Sequence, residues 1–241
     1  MNHQLTLSVS PHIHSGRSTR RIMLDVLIAL LPATAAGAVI FGLRSLLVVA
    51  VTVAACVGFE ALFNLAAKKP IPVVDLSAAV TGLLLALNLP ANIPLWQCAV
   101  GALFAMVVVK GLFGGLGANP VNPAITARVF MLVAFGTMAK AAVPVDAVSS
   151  ATPLASEEAT SLMDLFLGNH GGAIGETCAA ALLLGGIYLI VRRIITWHIP
   201  VAFIGTVFLT SFLMESMDPM AGLAAVLSGG LLIGAIFMAT D

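Results

Sequence analysis

Charge is what this chain has least of. Only 9% of its 241 residues are Asp, Glu, Lys or Arg, against roughly 25% in a soluble globular domain. With 60% of the residues hydrophobic, that scarcity excludes a water-soluble fold. The 11 Lys and Arg balance the 11 Asp and Glu, so no basic excess points to nucleic acid. Cysteine is scarce too. Cys56, Cys98 and Cys178 each lie in or at the edge of an apolar segment, and none forms a C-x-x-C pair. They read as small buried hydrophobes, the other reading being an iron–sulfur ligand shared with a partner subunit. The histidines show no metal-ligand spacing: His12 and His14 sit in the polar tail and His198 near the end of an apolar segment. A small-residue cleavage site is also missing after the first apolar segment, which excludes a signal peptide and leaves a retained first span.

What is present is a succession of apolar runs, and they predict an all-α, polytopic membrane helical bundle. Spans are expected at about 22–42, 45–66, 76–89, 95–113, 124–138, 173–191, 196–214 and 220–238. The third and fifth are short. A 15-residue helix covers only about 22 Å of a roughly 30 Å hydrocarbon core, so short or broken helices packed inside the bundle are expected. Pro32 predicts a kink in the first span.

Lys and Arg set the expected orientation. With the N-terminus in the cytoplasm, Arg17, Arg20, Arg21, Lys68, Lys69, Lys110, Arg192 and Arg193 fall on the inner side, whereas Arg44 and Lys140 fall outside and Arg128 falls within a helix. The loop over 139–172 is then extracytoplasmic. Gly82-Leu83-Leu84-Leu85-Ala86 echoes Gly230-Leu231-Leu232-Ile233-Gly234 five spans later. An odd offset reverses the crossing sense, as in an inverted repeat. The expected organisation is a cytoplasmic segment 1–21, a first transmembrane repeat 22–138, the extracytoplasmic loop 139–172, and the start of a second repeat over 173–241. A full second copy would need roughly 50 residues beyond Asp241 by this logic, so an incomplete second repeat is expected.

Three groups of residues carry candidate chemistry. The longest polar stretch contains Asp146, Ser149, Ser150, Ala151 and Thr152, which alone reads as Ser/Thr turn chemistry. Asn119-Pro120 and Asn122-Pro123 stand between the fourth and fifth spans. They read either as capping residues that start a short helix or as amides holding a polar ligand at membrane depth, with Arg128 about a turn further on. The glycines before them do not follow a strand, so they do not form a dinucleotide fold. Glu60 lies deep in the second span, where a carboxyl is costly and marks a functional hypothesis, here an ion path. Lys110 is expected to snorkel to the inner interface, and Asp25 to pair with Arg21 four residues before it.

The segment Asp146-x-x-Ser149-Ser150-Ala151-Thr152 resembles the flavinylation motif Asp-x-x-Ser-Gly-Ala-Thr of the membrane D subunit of Rnf complexes and its relative, the B subunit of the sodium-pumping NADH:quinone reductase. Ser150 stands where Gly is usual. Ser10-Pro11-His12-Ile13-His14-Ser15-Gly16-Arg17-Ser18-Thr19, Ala29-Leu30-Leu31-Pro32-Ala33, Gly114 through Ala124, and Phe237-Met238-Ala239-Thr240-Asp241 are similar to the same family, so the resemblance runs along nearly the whole chain.

The resemblance implies FMN joined to Thr152 through a phosphoester. An FMN transferase acting outside the cytoplasm would install it, with the small neighbours Ser149, Ser150 and Ala151 giving access and Asp146 aiding modification or shaping the loop. It implies a second, non-covalent riboflavin as a further cofactor, with Asn119, Asn122 and Arg128 as flavin-binding candidates. The implied function is electron transfer between ferredoxin and NAD in the bacterial inner membrane, coupled to Na+ or H+ translocation. Other Rnf membrane subunits, including a second flavinylated one, are the implied partners. The rival from another class is a water- or urea/ammonium-type solute channel. A water channel would need a second Asn-Pro-Ala, and Asn122-Pro123-Ala124 occurs once.

Overall fold

The computed structural model describes residues 18–68, 75–136, 162–168, 170–214, 217–228 and 230–240. Among them the regular structure is helical: α1 (Thr19–Phe41), α2 (Leu43–Ala66), α3 (Ser77–Leu87), α4 (Leu95–Leu103), α5 (Pro123–Ala134), α6 (Leu162–Leu167), α7 (Ala179–Val191), α8 (His198–Met214), α9 (Pro219–Leu227) and α10 (Leu231–Ile233). Helix α4 runs on as a π-helix over Phe104–Gly111, and α10 does the same over Gly234–Met238.

Among the described residues two helices, α1 and α2, are long and apolar enough to cross a membrane, and α9 with the α10 segment makes a third if the bent pair is one span. The remaining apolar helices are shorter. Among the described residues this membrane protein has fewer full-length helices than the eight apolar runs, and α3 and α5 are short, as expected of the third and fifth runs. The run over 220–238 is not one straight helix, because it bends by 68° between α9 and α10. The run over 173–191 becomes helical only at Ala179, and within 139–172 the structure contains the short helix α6.

Local chemistry explains the helix starts. Ser18 caps α1, its hydroxyl accepting from the Arg21 N–H at 3.4 Å, and the helix continues through Pro32. Asn122 caps α5, its Oδ1 accepting from Ala124 N at 3.0 Å and Ile125 N at 3.2 Å. Pro123 follows at the first helical position, where no N–H is needed. Asp75 accepts from Ser77 N at 2.8 Å ahead of α3, and Leu76 takes a left-handed backbone conformation (φ 65) to make that entry.

Helix α3 is the centre of the molecule. It spans 11 residues, about 16 Å, and nearly every one is buried. A helix apolar on all sides belongs in the interior. It packs most closely on α2, and Gly82 makes this approach possible: a Cβ there would stand 2.8 Å from Val53 Cα. The C-terminal end of α3 is closed by an irregular buried segment. Ile174 N donates to Leu89 O at 3.0 Å and Gly175 N to Leu87 O at 2.8 Å. Non-helical backbone at membrane depth is stable when protein groups satisfy it in this way.

Candidate functional site

Polar clusters stand at both ends of α3. At its N-terminal end, Lys110 Nζ lies 2.6 Å from Glu60 Oε1 and donates to Ser77 Oγ at 2.6 Å. Lys110, Glu60 and Ser77 are all buried. Lys110 therefore does not snorkel, contrary to the sequence expectation. The π-helix is the reason. Its wider turn, with Leu112 N donating to Val107 O at 3.0 Å and Gly115 N to Lys110 O at 2.9 Å, changes the angular register after Leu103. Projection of a regular α-helix consequently misplaces Lys110. Glu60 Oε2 has no hydrogen-bond partner among the described residues.

At the C-terminal end, Asn88 Nδ2 donates to Leu84 O at 2.7 Å and its Oδ1 accepts from Arg128 Nη1 at 2.8 Å. Arg128 Nη2 lies 3.7 Å from Glu176 Oε2, which itself accepts from Ala173 N at 3.1 Å. Arg128, a flavin-binding candidate by the family resemblance, thus ties α5 to α3 and to the irregular segment. Gly230 leaves it room, since a Cβ there would stand 2.8 Å from Arg128 Nη1.

Between the two clusters lies a cavity of about 310 Å³. One face of α3 supplies Ser77, Thr81 and Leu84, and Lys110, Asn119 and Met238 complete the wall. Asn122 also lines it, although its Oδ1 is engaged in capping α5. Asn119 Oδ1 is buried and has no partner among the described residues. A second cavity of about 250 Å³ is lined by Glu60, Asn64, Asp75 and Gly115, and Lys110 lines it as well. Lys110 therefore faces both cavities, with the open oxygen of Glu60 beside it. Asp146, Ser149, Ser150, Ala151 and Thr152 lie outside the described residues.

A separate cluster corrects the expected Asp25–Arg21 pair. Arg192 Nη2 lies 3.1 Å from both carboxylate oxygens of Asp25, and Tyr188 Oη donates to Oδ1 at 2.9 Å. Packing of α1 against α7 turns Asp25 inward, whereas Arg21 stays exposed. Arg192 sits just past α7, and the bond to Asp25 raises its pKa further above the ordinary guanidinium value.

Sequence reasoning missed Ser77, Asn88, Glu176 and His170. The signal for Asn88 and Glu176 was available, since each is a polar residue within an apolar run. His170 is buried with Nε2 unpartnered among the described residues, and it lies in a segment that only tertiary packing draws inside.

Polar and charged clusters at both ends of a short central helix define a helical membrane protein with a polar interior. Comparison with known proteins gives the particular kind. The family described as NQR2, RnfD, RnfE matches residues 6–241, and the chain belongs to that family. Among its relatives, the D subunit of the Na(+)-translocating ferredoxin:NAD(+) oxidoreductase complex of Acetobacterium woodii is 48% identical over 98% of this chain and 77% of its own length. The D subunit of the proton-translocating ferredoxin:NAD(+) oxidoreductase complex of Clostridium ljungdahlii is 39% identical over 98% of this chain and 78% of its own length. The D subunit of the ion-translocating oxidoreductase complex of Stutzerimonas stutzeri is 37% identical over 93% of this chain and 76% of its own length.

Proposed function

We propose that this chain is the D subunit of an ion-translocating ferredoxin:NAD oxidoreductase complex and carries electrons through FMN attached to Thr152. The observation that carries the reading is the 48% identity, across 98% of the chain, to the D subunit of such a complex. The active assembly requires the other membrane subunits, a second flavinylated subunit among them, and an FMN transferase that modifies Thr152. In that modification the Thr152 hydroxyl oxygen would bond to the FMN phosphorus of FAD and give up its proton to solvent, while the pyrophosphate bond breaks and AMP leaves. Bound flavin supplies one- and two-electron transfer. Asp146, Ser149, Ser150 and Ala151 serve as the recognition segment around the hydroxyl.

The chain's own residues fit a second, non-covalent flavin in the 310 Å³ cavity, which is at the lower end of small-molecule sites of about 300–1,000 Å³. Asn119 Oδ1, without a partner among the described residues, offers an acceptor to a ring N–H, and Lys110 offers a cationic donor to a ring carbonyl. The Lys110–Glu60 pair between the two cavities is the ion-path element. A carboxylate with one open oxygen can hold a proton or a small cation, and the neighbouring ammonium keeps it from binding either permanently. The orientation follows the Lys and Arg distribution, with the N-terminus cytoplasmic and Thr152 extracytoplasmic.

The test is direct. The chain is expressed with its FMN transferase, run on a denaturing gel and viewed under ultraviolet light. The wild-type band is expected to fluoresce and a Thr152→Ala band to be dark. A dark wild-type band, or fluorescence that survives the substitution, would overturn the assignment.

A further inference from the structure

The two cavities beside α3 share one ammonium. Lys110 Nζ donates to Ser77 Oγ at 2.6 Å and lies 2.6 Å from Glu60 Oε1. Ser77 belongs to the wall of the larger cavity and Glu60 to that of the smaller, while Lys110 lines both. A Lys ammonium is a compact charge with three N–H donors on a flexible stem. A small rotation of that stem therefore moves a full positive charge from one wall towards the other.

The cavities differ in sign. Ser77 opens α3 and Pro123 opens α5, and both residues line the larger cavity. Each helix start is equivalent to about half a positive charge, and no carboxylate lines this cavity among the described residues. The larger cavity therefore favours negative charge on whatever occupies it. The smaller one carries the carboxylates of Glu60 and Asp75. Asp75 Oδ1 accepts from Ser77 N at 2.8 Å, whereas Glu60 Oε2 is buried and has no partner among the described residues. In an apolar medium an uncompensated charge is costly. Negative charge arriving in the larger cavity pulls the ammonium off Glu60, and the carboxylate left behind needs another cation.

We infer that Lys110 couples the two cavities: reduction of the ligand in the larger one draws the ammonium away from Glu60, and a small monovalent cation takes its place there. The inference rests on the flavin and ion-path reading proposed above and assigns the link between them to one side chain. One electron from the complex's donor adds one negative charge to the flavin, one cation enters at Glu60, and no covalent bond of the protein changes. Reoxidation reverses both movements. Such coupling is reciprocal, so the cation raises the flavin's reduction potential by the same factor by which reduction tightens cation binding. A tenfold effect, within the roughly 5–150-fold range of coupled sites, equals about 59 mV for a one-electron step.

The full chain carrying Thr152→Ala, purified in detergent and loaded with riboflavin, leaves one flavin to observe. Its reduction potential is measured as NaCl replaces choline chloride at constant ionic strength. The potential is expected to rise by about 59 mV in total, a tenfold difference in Na+ affinity between the reduced and oxidised forms. Lys110→Gln is expected to flatten the curve, because Glu60 is then open in both redox states. It is also expected to bind radioactive sodium in the oxidised form about tenfold more tightly than the parent, within the range of coupled sites; a merely structural role would weaken binding instead. Lys110→Arg keeps a charge beside Glu60 and serves where the Gln variant does not fold. Its wide fork of five donors reaches both walls together, so it is expected to shrink the shift while riboflavin stays bound. Riboflavin that fails to bind the parent overturns the reading of the larger cavity and this inference with it. Bound riboflavin whose potential ignores Na+, and whose pH dependence is unchanged by Glu60→Gln, overturns the coupling alone, as does a full-sized shift in both Lys110 variants. A potential that ignores Na+ but loses part of its pH dependence in Glu60→Gln makes the cation a proton and supports the coupling.

Discussion

Lys110 shows how a single residue can reverse its expected role. Read along a regular helix it is an interfacial anchor; within the π-helix it is buried against Glu60 and Ser77. Removing one member of a buried ion pair leaves the other uncompensated, at a cost of about 3–5 kcal/mol. Lys110→Met is therefore expected to lower the thermal stability of the detergent-solubilised protein by an amount in that range. Combining it with Glu60→Gln is expected to recover a large part, since no buried charge is left alone. Strictly additive losses in the double-mutant cycle would show that the two side chains do not interact. Ion translocation by the reconstituted complex gives the functional side: Glu60→Gln is expected to abolish it while the flavin stays attached to Thr152. Unchanged translocation would remove Glu60 from the ion path.

At the scale of elements, α3 and α5 carry the design. The Asn-Pro pairs were legible as a helix start, because capping is decided within a few residues of chain and Asn122 needs only the N–H groups of Ala124 and Ile125. Asn122→Ala is expected to cost about 1 kcal/mol of stability, and Asn122→Asp, which still accepts both bonds, much less. If flavin content measured by absorbance falls in both variants although Asn122→Asp remains stable, the amide also contacts a ligand. If it falls in neither, Asn122 is a cap alone. Gly82 is a second test. A Cβ there meets Val53 Cα and, at 3.1 Å, Cys56 Cβ, so Gly82→Ala should overpack the α2–α3 contact by about 1–3 kcal/mol, read as a lower melting temperature. The irregular backbone of 173–178 was not legible, because it leads directly, with no proline between, into the apolar run that forms α7. Only the carbonyls of Leu87 and Leu89 explain why Ile174 and Gly175 donate elsewhere.

For the whole molecule, the question is which side faces the cytoplasm. Burial takes Lys110 out of the set of surface anchors, but Arg21, Arg192 and Arg193 gather at one end through the meeting of α1 and α7. Reporter fusions test the orientation. Alkaline phosphatase inserted within 139–172 is expected to be active, and the same enzyme inserted after Arg193 inactive. The reverse pattern would invert the topology and move Thr152 to the cytoplasmic side.

The sequence by itself determined the solvent and the relatives of this protein. Scarce charge and recurrent apolar runs require a bilayer, and motifs along nearly the whole chain point to one family. Those properties reside in composition and local order, which need no partner distant in sequence. Tertiary structure decided where the polar groups end up. Asp25 chose Arg192 over Arg21, Lys110 turned inward to Glu60, and Arg128 reached Asn88 and Glu176. In an apolar medium each buried charge must find a counterpart, and which one is within reach depends on how helices far apart in the chain pack together.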